Sequence, residues 1–427
     1  MLSTYRSRKH IVISIGMLEA FILIVAYVKF FYLMKLPGTL GVRSNSIINI
    51  ILSILMFVPM LLTRKPFLKS RLYWRYIVTF VSIGIVEIFY TKLVYPDEPI
   101  INAFRAASPF LVILSYFIFA AALNYNEEMF IQMIVDIATL LAIICVFQAI
   151  IYGLSGIKII KLYGFSYGES QVIVRNGRIR ILGSDYVSFV SFISMGLLYS
   201  DRYSSKLRRK AGVNVLLALV FDAFCTQTRA MLLAEVIVLT VVVFKLSKSK
   251  LFKTLMIFAV LVVCIISSSD IYQTLVDISL TITNRIDYSL YHRVDEYSFY
   301  FQSFLKRPIF GVGLLTLNPQ NRAYFYLFSK NGYYAYSDVG IVGILAHFGI
   351  LGLLLYLYPV INTYKIWRTS KKTSSLDTLN FCIFCGLIAT MISLAIFDGE
   401  RLMILPLYLA LSEYSAGRTN QGDLVYV

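Results

Sequence analysis

The sequence predicts an all-α polytopic membrane protein, and three observations lead to that class. The chain has 427 residues, of which 58% are hydrophobic and only 15% are charged, whereas soluble proteins carry about 25% charged residues. Apolar runs long enough to cross about 30 Å of hydrocarbon recur along the chain. Short connectors rich in lysine and arginine separate several of these runs. This composition excludes a soluble or disordered chain.

The apolar runs predict about twelve transmembrane helices, with a range of ten to twelve. They lie near residues 11–34, 44–63, 74–94, 107–123, 130–153, 184–200, 212–227, 230–247, 254–269, 339–360, 379–397 and 401–415. The first run is too long for a signal-peptide core, so we expect a retained span. Residues 1–427 then form a single integral membrane domain.

Basic connectors orient this bundle, because lysine and arginine collect on the cytoplasmic side. Four strongly basic segments fall on one side when the N-terminus is inside: 64–75, 201–210, 245–253 and 365–372. The acidic connector NYNEE, at 124–128, is predicted on that side too and is the exception. We therefore expect both termini in the cytoplasm. Two long segments remain outside: 154–183, and 270–337 between spans nine and ten.

The first predicted outer segment is rich in lysine and arginine, although these residues normally collect on the cytoplasmic side of membrane proteins. It contains Lys158, Lys161, Arg175, Arg178 and Arg180, with Glu169 as its only acid. Together with a net charge of +17, this excess indicates an anionic partner at the outer membrane surface. The alternative is that these side chains reach lipid phosphates.

The second outer segment contains a helical pattern. Apolar residues recur at helical spacing over 286–306 and predict an amphipathic helix lying on or over the bundle. Its polar face presents His292, Arg293, Asp295 and Glu296.

Several catalytic signatures are missing from the sequence. It contains no Walker A pattern, no H-E-x-x-H and no D-x-D, and its three histidines are far apart. We therefore expect no metal site, no organic cofactor and no nucleic-acid partner. Arginine, which stays charged and pairs bidentately with phosphoryl oxygens, is the residue type suited to an anionic substrate here.

Two residues are the candidates for chemistry at the predicted outer face. Arg229 lies in a very short connector between spans seven and eight. Its alternative role is a topological anchor that pairs with Asp222 or Glu235. Asp338 begins the tenth span, where a carboxylate is suited to take a proton from a sugar hydroxyl. Its alternative role is a helix cap, and His347 is expected to be a hydrogen-bonding residue in the bundle interior.

Three segments, taken in order, resemble the O-antigen polymerase and ligase family. TQTRA (226–230) looks like the family's arginine turn, and YHRVDEYSFYFQSFLKRPIFGVG (291–313) is similar to the end of its large outer loop. SDVGIVGILAHFGILGLL (337–354) looks like the start of its next span. The resemblance covers roughly residues 170–360.

The resemblance implies a metal-independent glycosyltransferase that uses a polyprenyl-diphosphate-linked oligosaccharide as donor. Arg229 and Asp338 match the catalytic positions. The diphosphate and glycan would be held by Arg293, His292, Tyr336 and one or more of Arg175, Arg178 and Arg180. The enzyme would lie in the bacterial plasma membrane with its active site facing outward, among membrane lipids, beside the flippase and chain-length regulator of its pathway.

One departure from the family pattern favours a particular member. Ligases usually begin the span after the large loop with a His-Asn pair, and the matching residues here are Ser337 and Asp338. This difference favours a Wzy-type repeat-unit polymerase in capsule, exopolysaccharide or O-antigen synthesis. The alternatives are an O-antigen ligase and a flippase or transporter for a lipid-linked oligosaccharide.

Overall fold

The fold is an α-helical bundle with one small β-hairpin. The computed structural model describes residues 2–33, 44–63, 71–159, 172–175, 178–181, 185–226, 228–247, 250, 253–254, 288–315, 323–329, 334–369, 376–393, 397 and 401–423. Its helices are α1 (Leu2–Tyr27), α2 (Ser44–Thr63), α3 (Trp74–Val94), α4 (Ile100–Ala107), α5 (Ser115–Tyr125), α6 (Glu127–Ser155), α7 (Asp185–Leu198), α8 (Ser205–Val220), α9 (Arg229–Leu246), α10 (Tyr288–Lys306), α11 (Tyr324–Phe328), α12 (Gly340–Thr369), α13 (Leu376–Thr390) and α14 (Ile404–Asp423). The strands are β1 (Val172–Arg175) and β2 (Arg178–Ile181).

The helices agree with the predicted class of an all-α membrane protein. Among the described residues, four helical segments are long and apolar enough to cross a membrane: Trp74–Val94, Ile100–Tyr125, Glu127–Ser155 and Gly340–Thr369. Four shorter apolar helices accompany them, at Ile15–Tyr27, Ile48–Leu62, Asp185–Leu198 and Thr378–Thr390. The total of twelve spans and the sidedness of the bundle stay predictions, because the span expected near 254–269 lies almost wholly outside the described residues.

Helix α7 is the centre of the bundle. Every residue from Tyr186 to Leu197 is buried, and the helix packs against α6, α8, α9 and α13. A helix that is apolar and buried on all sides belongs in the interior of a large bundle. Residues at its N-terminal end, which follows the hairpin, are therefore well placed to join elements that are distant in sequence.

The hairpin was not predicted from the sequence. Strands β1 and β2 pair antiparallel, with Val172 opposite Ile181 and Arg175 opposite Arg178. The signal was present: a β-branched run, VIV at 172–174, precedes Asn176 and Gly177, and basic and apolar residues alternate after them. Asn-Gly between two strand-like runs is a strong hairpin signature. The first outer segment is therefore built, in part, as a hairpin carrying Arg175, Arg178 and Arg180.

Helix α10 forms where a helix was predicted over 286–306, but its faces differ from the prediction: Val294, Phe301 and Leu305 are exposed, whereas Glu296 of the predicted polar face is buried. The segment after α10 packs into a break in α12. Gly349 interrupts α12 with φ 61° and ψ −156°, which leaves the adjacent backbone groups without helical partners. The segment 308–313 replaces those partners. Val312 N–H donates to the Ala346 carbonyl (2.8 Å), Gly313 N–H donates to the His347 carbonyl (3.0 Å), and Ile350 N–H donates to the Pro308 carbonyl (2.8 Å). Irregular backbone within a membrane span needs such internal partners.

The acidic connector that broke the charge rule has a structural explanation. The Glu127 carboxylate accepts two hydrogen bonds from Arg202, at 2.7 and 3.1 Å, and one from the Tyr203 hydroxyl at 2.5 Å. The Glu128 carboxylate accepts from the Ser204 backbone N–H at 3.3 Å. The acids of 124–128 thus bind the basic connector 201–210, at the end of α7 opposite Asp185.

Candidate functional site

The candidate site is centred on an ion pair between α10 and the start of α12. Arg293 donates from Nη2 to Asp338 Oδ2 at 2.9 Å and from Nη1 to the Asp338 backbone carbonyl at 3.2 Å. A second carboxylate, Glu296, accepts from Arg293 Nη1 at 3.0 Å. The structure therefore brings together Arg293 and Asp338, two residues that the sequence predicted separately for binding and for catalysis.

Glu296 is buried, whereas Arg293 and Asp338 are partly exposed. Glu296 is buried and also accepts from the Ala335 backbone N–H at 3.3 Å. Burial raises the pKa of Glu296, although the neighbouring Arg293 acts in the opposite direction. The Asp338 side chain keeps 36% of its surface exposed, and the Arg293 side chain keeps 44%. Arg293 and Asp338 are thus accessible to a substrate, whereas Glu296 holds Arg293 from behind.

The carboxylate of Asp338 has an oxygen that remains available. Oδ2 accepts from Arg293, whereas Oδ1 has only the Ser337 hydroxyl near it, at 3.4 Å. The residues 336–338 form a single turn of 3-10 helix before α12, and in the first turn of α12 the Ile341 N–H donates to the Met391 carbonyl and the Gly343 N–H to the Val339 carbonyl rather than to Asp338. Asp338 is therefore held mainly by Arg293, and the alternative of a simple helix cap does not describe its contacts.

Arg401 joins this cluster to the N-terminus of α7. Its Nη1 donates to the Ser337 carbonyl at 3.0 Å, and its Nε forms an ion pair with the Asp185 carboxylate. Arg401 is 8% exposed, so its charge depends on these partners. Neither Arg401 nor Asp185 was predicted as a site residue. The signal was a charged cluster, Asp398 to Arg401, at the start of the last predicted span.

The hairpin binds the turn that leads to Arg229. Residues Phe221–Thr226 form a π-helical turn after α8, and Arg180 Nε in β2 donates to the Thr226 carbonyl at 3.0 Å. Arg229 is the first residue of α9. The backbones of Arg175, Arg178 and Arg229 therefore lie on elements that join at the π-helical turn. A shared role of these arginines at an outer face stays a prediction.

The remaining predicted residues lie next to the ion pair. His292 precedes Arg293 in α10. The Tyr336 ring lies 4.6 Å from the His347 ring, centroid to centroid, at an interplanar angle of 60°. His347 is buried as predicted. Its expected hydrogen bonds are not found, since neither ring nitrogen has a partner among the described residues.

Chemically, the cluster presents arginines and one accessible carboxylate, which are groups that bind an anion and accept a proton. Within the described residues, no set of three or more His, Cys, Asp or Glu side chains is placed to hold a metal ion.

Comparison with known proteins finds a family for part of the chain. Residues 214–357 match the family model described as O-antigen ligase. This match supports membership of the O-antigen polymerase and ligase family. A search of curated sequences gave no match. The matched region contains Arg229, Arg293 and Asp338, whereas Arg180, Asp185 and Arg401 lie outside it.

The glycines of the resembling segments have a packing reason in the structure. A Cβ on Gly311 would lie 2.5 Å from the Ala346 carbonyl oxygen, and a Cβ on Gly349 would lie 2.3 Å from the Ile309 carbonyl oxygen. Both glycines also have positive φ. These glycines thus allow 308–313 and α12 to come into backbone contact, directly after α10.

Proposed function

We propose that this protein is a repeat-unit polymerase that transfers a glycan from a polyprenyl diphosphate to a sugar hydroxyl on another lipid-linked repeat unit. Family membership supports an enzyme of the O-antigen polymerase and ligase type in a multi-pass membrane protein. The observation that carries the proposal further is the accessible Arg293–Asp338 pair. It provides a phosphate ligand and a proton acceptor side by side.

The proposed step uses the two residues differently. The acceptor hydroxyl oxygen forms a bond to the anomeric carbon, and the bond from that carbon to the diphosphate oxygen breaks with its electron pair. Asp338 Oδ1 takes the hydroxyl proton, because Oδ2 is held by Arg293. Arg293, together with the arginines of the hairpin and Arg229, stabilises the charge that grows on the departing diphosphate.

Aromatic side chains beside the pair are suited to bind sugar rings. Tyr336 is half-buried beside His347, and its ring packs edge-on against that of Phe328, with 6.2 Å between centroids. Tyr326, nearby in α11, is 48% exposed. Such rings offer flat apolar faces with a polar edge, as glycan binding requires.

The polymerase is favoured over the ligase by the residues at the start of α12. Ser337 and Asp338 occupy the positions where ligases usually carry His and Asn. The ligase remains the second candidate, because the matching family model carries that description.

A complementation experiment tests the function and the site together. A strain that lacks the protein is complemented with R229A, R293A or D338A, and the length of surface glycan chains is measured. We expect single lipid-linked repeats to accumulate outside while long chains disappear. Accumulation inside would indicate a flippase, and loss of glycan attachment with normal chain length would indicate a ligase.

The matched control is R105A. Arg105 lies at the end of α4, on the same predicted outer side, and its side chain is exposed. Chain length should be unchanged in R105A. Normal chains in R229A, R293A and D338A alike would contradict the proposed site.

A further inference from the structure

Two buried carboxyl groups face each other next to the candidate site. Asp222 lies in the π-helical turn and is 2% exposed, and Glu235 lies in α9 and is 0% exposed. The two groups are in direct electrostatic contact. No lysine or arginine whose side chain the structure describes forms an ion pair with either one. Two adjacent carboxylates in such surroundings are strongly unfavourable unless something neutralises them.

Ser191 makes two short contacts beside the pair. Its hydroxyl oxygen lies 2.6 Å from the Ser188 carbonyl oxygen and 2.6 Å from Glu235 Oε1. A hydroxyl has one proton, and a carbonyl can only accept. The Ser191 hydroxyl therefore donates to one of these two oxygens at a time, and both contacts are hydrogen bonds together only when Glu235 carries a proton that it donates to Ser191.

Three further oxygen atoms around the pair lack partners. They are Asp222 Oδ2, Glu235 Oε2 and the hydroxyl oxygen of Ser188, which has 0% exposure and points toward the Asp222 carboxyl. Within the described part of the chain none of them forms a hydrogen bond. Two carboxyl oxygens can hydrogen-bond to each other only through a proton, so these atoms are satisfied together when the pair binds one.

We propose that Asp222 and Glu235 form a buried proton-binding site, in which Glu235 is a neutral carboxylic acid in the folded protein, and that this site positions the turn before Arg229. The Thr226 hydroxyl donates to Asp222 Oδ1 at 3.0 Å and accepts from the Thr228 backbone N–H at 3.1 Å. The Thr226 carbonyl accepts from Arg180. A continuous path of contacts thus runs from Glu235 to Arg180 and to the residue before Arg229.

Other titratable groups surround the pair and belong in any account of its pH dependence. Asp185 faces Asp222 from α7 and is itself paired with Arg401. Cys225 in the same turn and Cys145 in α6 are buried nearby. The guanidinium of Arg180 lies on the side of the turn facing the hairpin.

Infrared difference spectroscopy on the purified full-length protein tests the proton directly. The wild type should show the carbonyl stretch of a protonated carboxylic acid, and this band should be missing in E235Q. The matched control is D136N, because Asp136 is 44% exposed and paired with Lys210 at 2.7 Å. D136N should retain the band. If neither E235Q nor D222N changes the infrared band of protonated carboxylic acids, Asp222 and Glu235 are both ionised, as they would be in an ion pair with Arg229. The proposal is then wrong.

Thermal unfolding adds a second readout that needs no substrate. A folded protein that keeps a proton which the unfolded chain releases loses stability as pH rises. We expect the wild type to show this loss and E235Q to show a flatter dependence. If instead sodium chloride stabilises the wild type more than choline chloride, and E235Q abolishes the difference, the site binds a metal cation and the proton assignment fails.

The positioning role rests on the proposed function and is tested separately. In a transfer assay, E235Q should remain within about threefold of the wild type, because glutamine keeps a neutral group of the same shape, whereas E235A should lose about tenfold or more. The activity of the wild type should fall at alkaline pH more steeply than that of E235Q. Equal activity of E235A and the wild type would contradict the claim that Glu235 positions the turn before Arg229. The spectroscopic result does not depend on which reaction the protein catalyses.

Discussion

Replacing Gly349 with alanine is the strongest test of how the fold builds the site. The residue has φ 61° and ψ −156°, a region that is essentially restricted to glycine. A Cβ there would lie 2.3 Å from the Ile309 carbonyl oxygen and 2.4 Å from the Ile309 carbonyl carbon. Because these are backbone atoms, no side-chain rotation can relieve the overlap.

The expected cost follows from two terms. Holding alanine in this conformation costs about 1–3 kcal/mol. Moving 308–310 away weakens the hydrogen bonds from Ile350 N–H to the Pro308 carbonyl (2.8 Å) and from Leu351 N–H to the Ile309 carbonyl (3.4 Å), at about 1 kcal/mol each. We therefore expect G349A to destabilise the packing of 308–313 against α12 by about 3–5 kcal/mol.

The assay is hydrogen exchange with mass spectrometry, together with thermal unfolding, on detergent-purified protein. Exchange should increase at Val312 and Gly313, whose N–H groups donate to α12, and glycan chain length should fall because α10 loses its support. The control is G84A, since a Cβ on Gly84 in α3 meets nothing within 4 Å. If G349A matches G84A in exchange and melting temperature, the contact does not hold α10 in place.

Three other substitutions test individual contacts. R401K keeps the charge, but a lysine cannot bridge Asp185 and the Ser337 carbonyl as the planar guanidinium does. We expect R401K to lose about 1–3 kcal/mol of stability and to make shorter glycan chains. An unchanged melting temperature would contradict the bridge. R180A removes the hydrogen bond to the Thr226 carbonyl, so the rate of glycan transfer should fall about tenfold with little change in melting temperature. An unaltered transfer rate would show that the hairpin does not contribute to the site. Burial raises the pKa of Glu296. The stability that protonated Glu296 contributes to the folded protein is therefore fully present at pH values below the ordinary glutamate pKa, and it is lost as pH rises through the raised pKa. The melting temperature of the wild type relative to E296Q should fall over that interval, and parallel curves would refute the assignment.

Much of the helical framework could be predicted from the sequence. Apolar run length and flanking charge indicated helices that the structure forms with nearly the same bounds, such as Trp74–Val94 and Ser44–Thr63. The spacing of apolar residues also predicted α10, because helix periodicity is a local property of the chain. The hairpin was missed although its turn signature was present, since an outer segment rich in arginine was interpreted only by its charge.

The site could be predicted in its residue types but only in part in its connections. Arg293 and Asp338 were both candidates, and the sequence placed them at one face through topology. Their direct pairing joins residues 45 positions apart, and Arg401 reaches Asp185 across 216 positions. No local pattern encodes such a contact.

The sequence by itself predicted a helical membrane protein with cationic connecting segments and a resemblance to O-antigen polymerases and ligases. Those properties follow from composition, run length and short motifs, which act locally. The tertiary structure alone decided that α12 breaks at Gly349, that Glu296 and Asp338 share Arg293, and that Arg401 joins the two halves of the site. These depend on how buried helices pack, because only packing determines which distant charge compensates another.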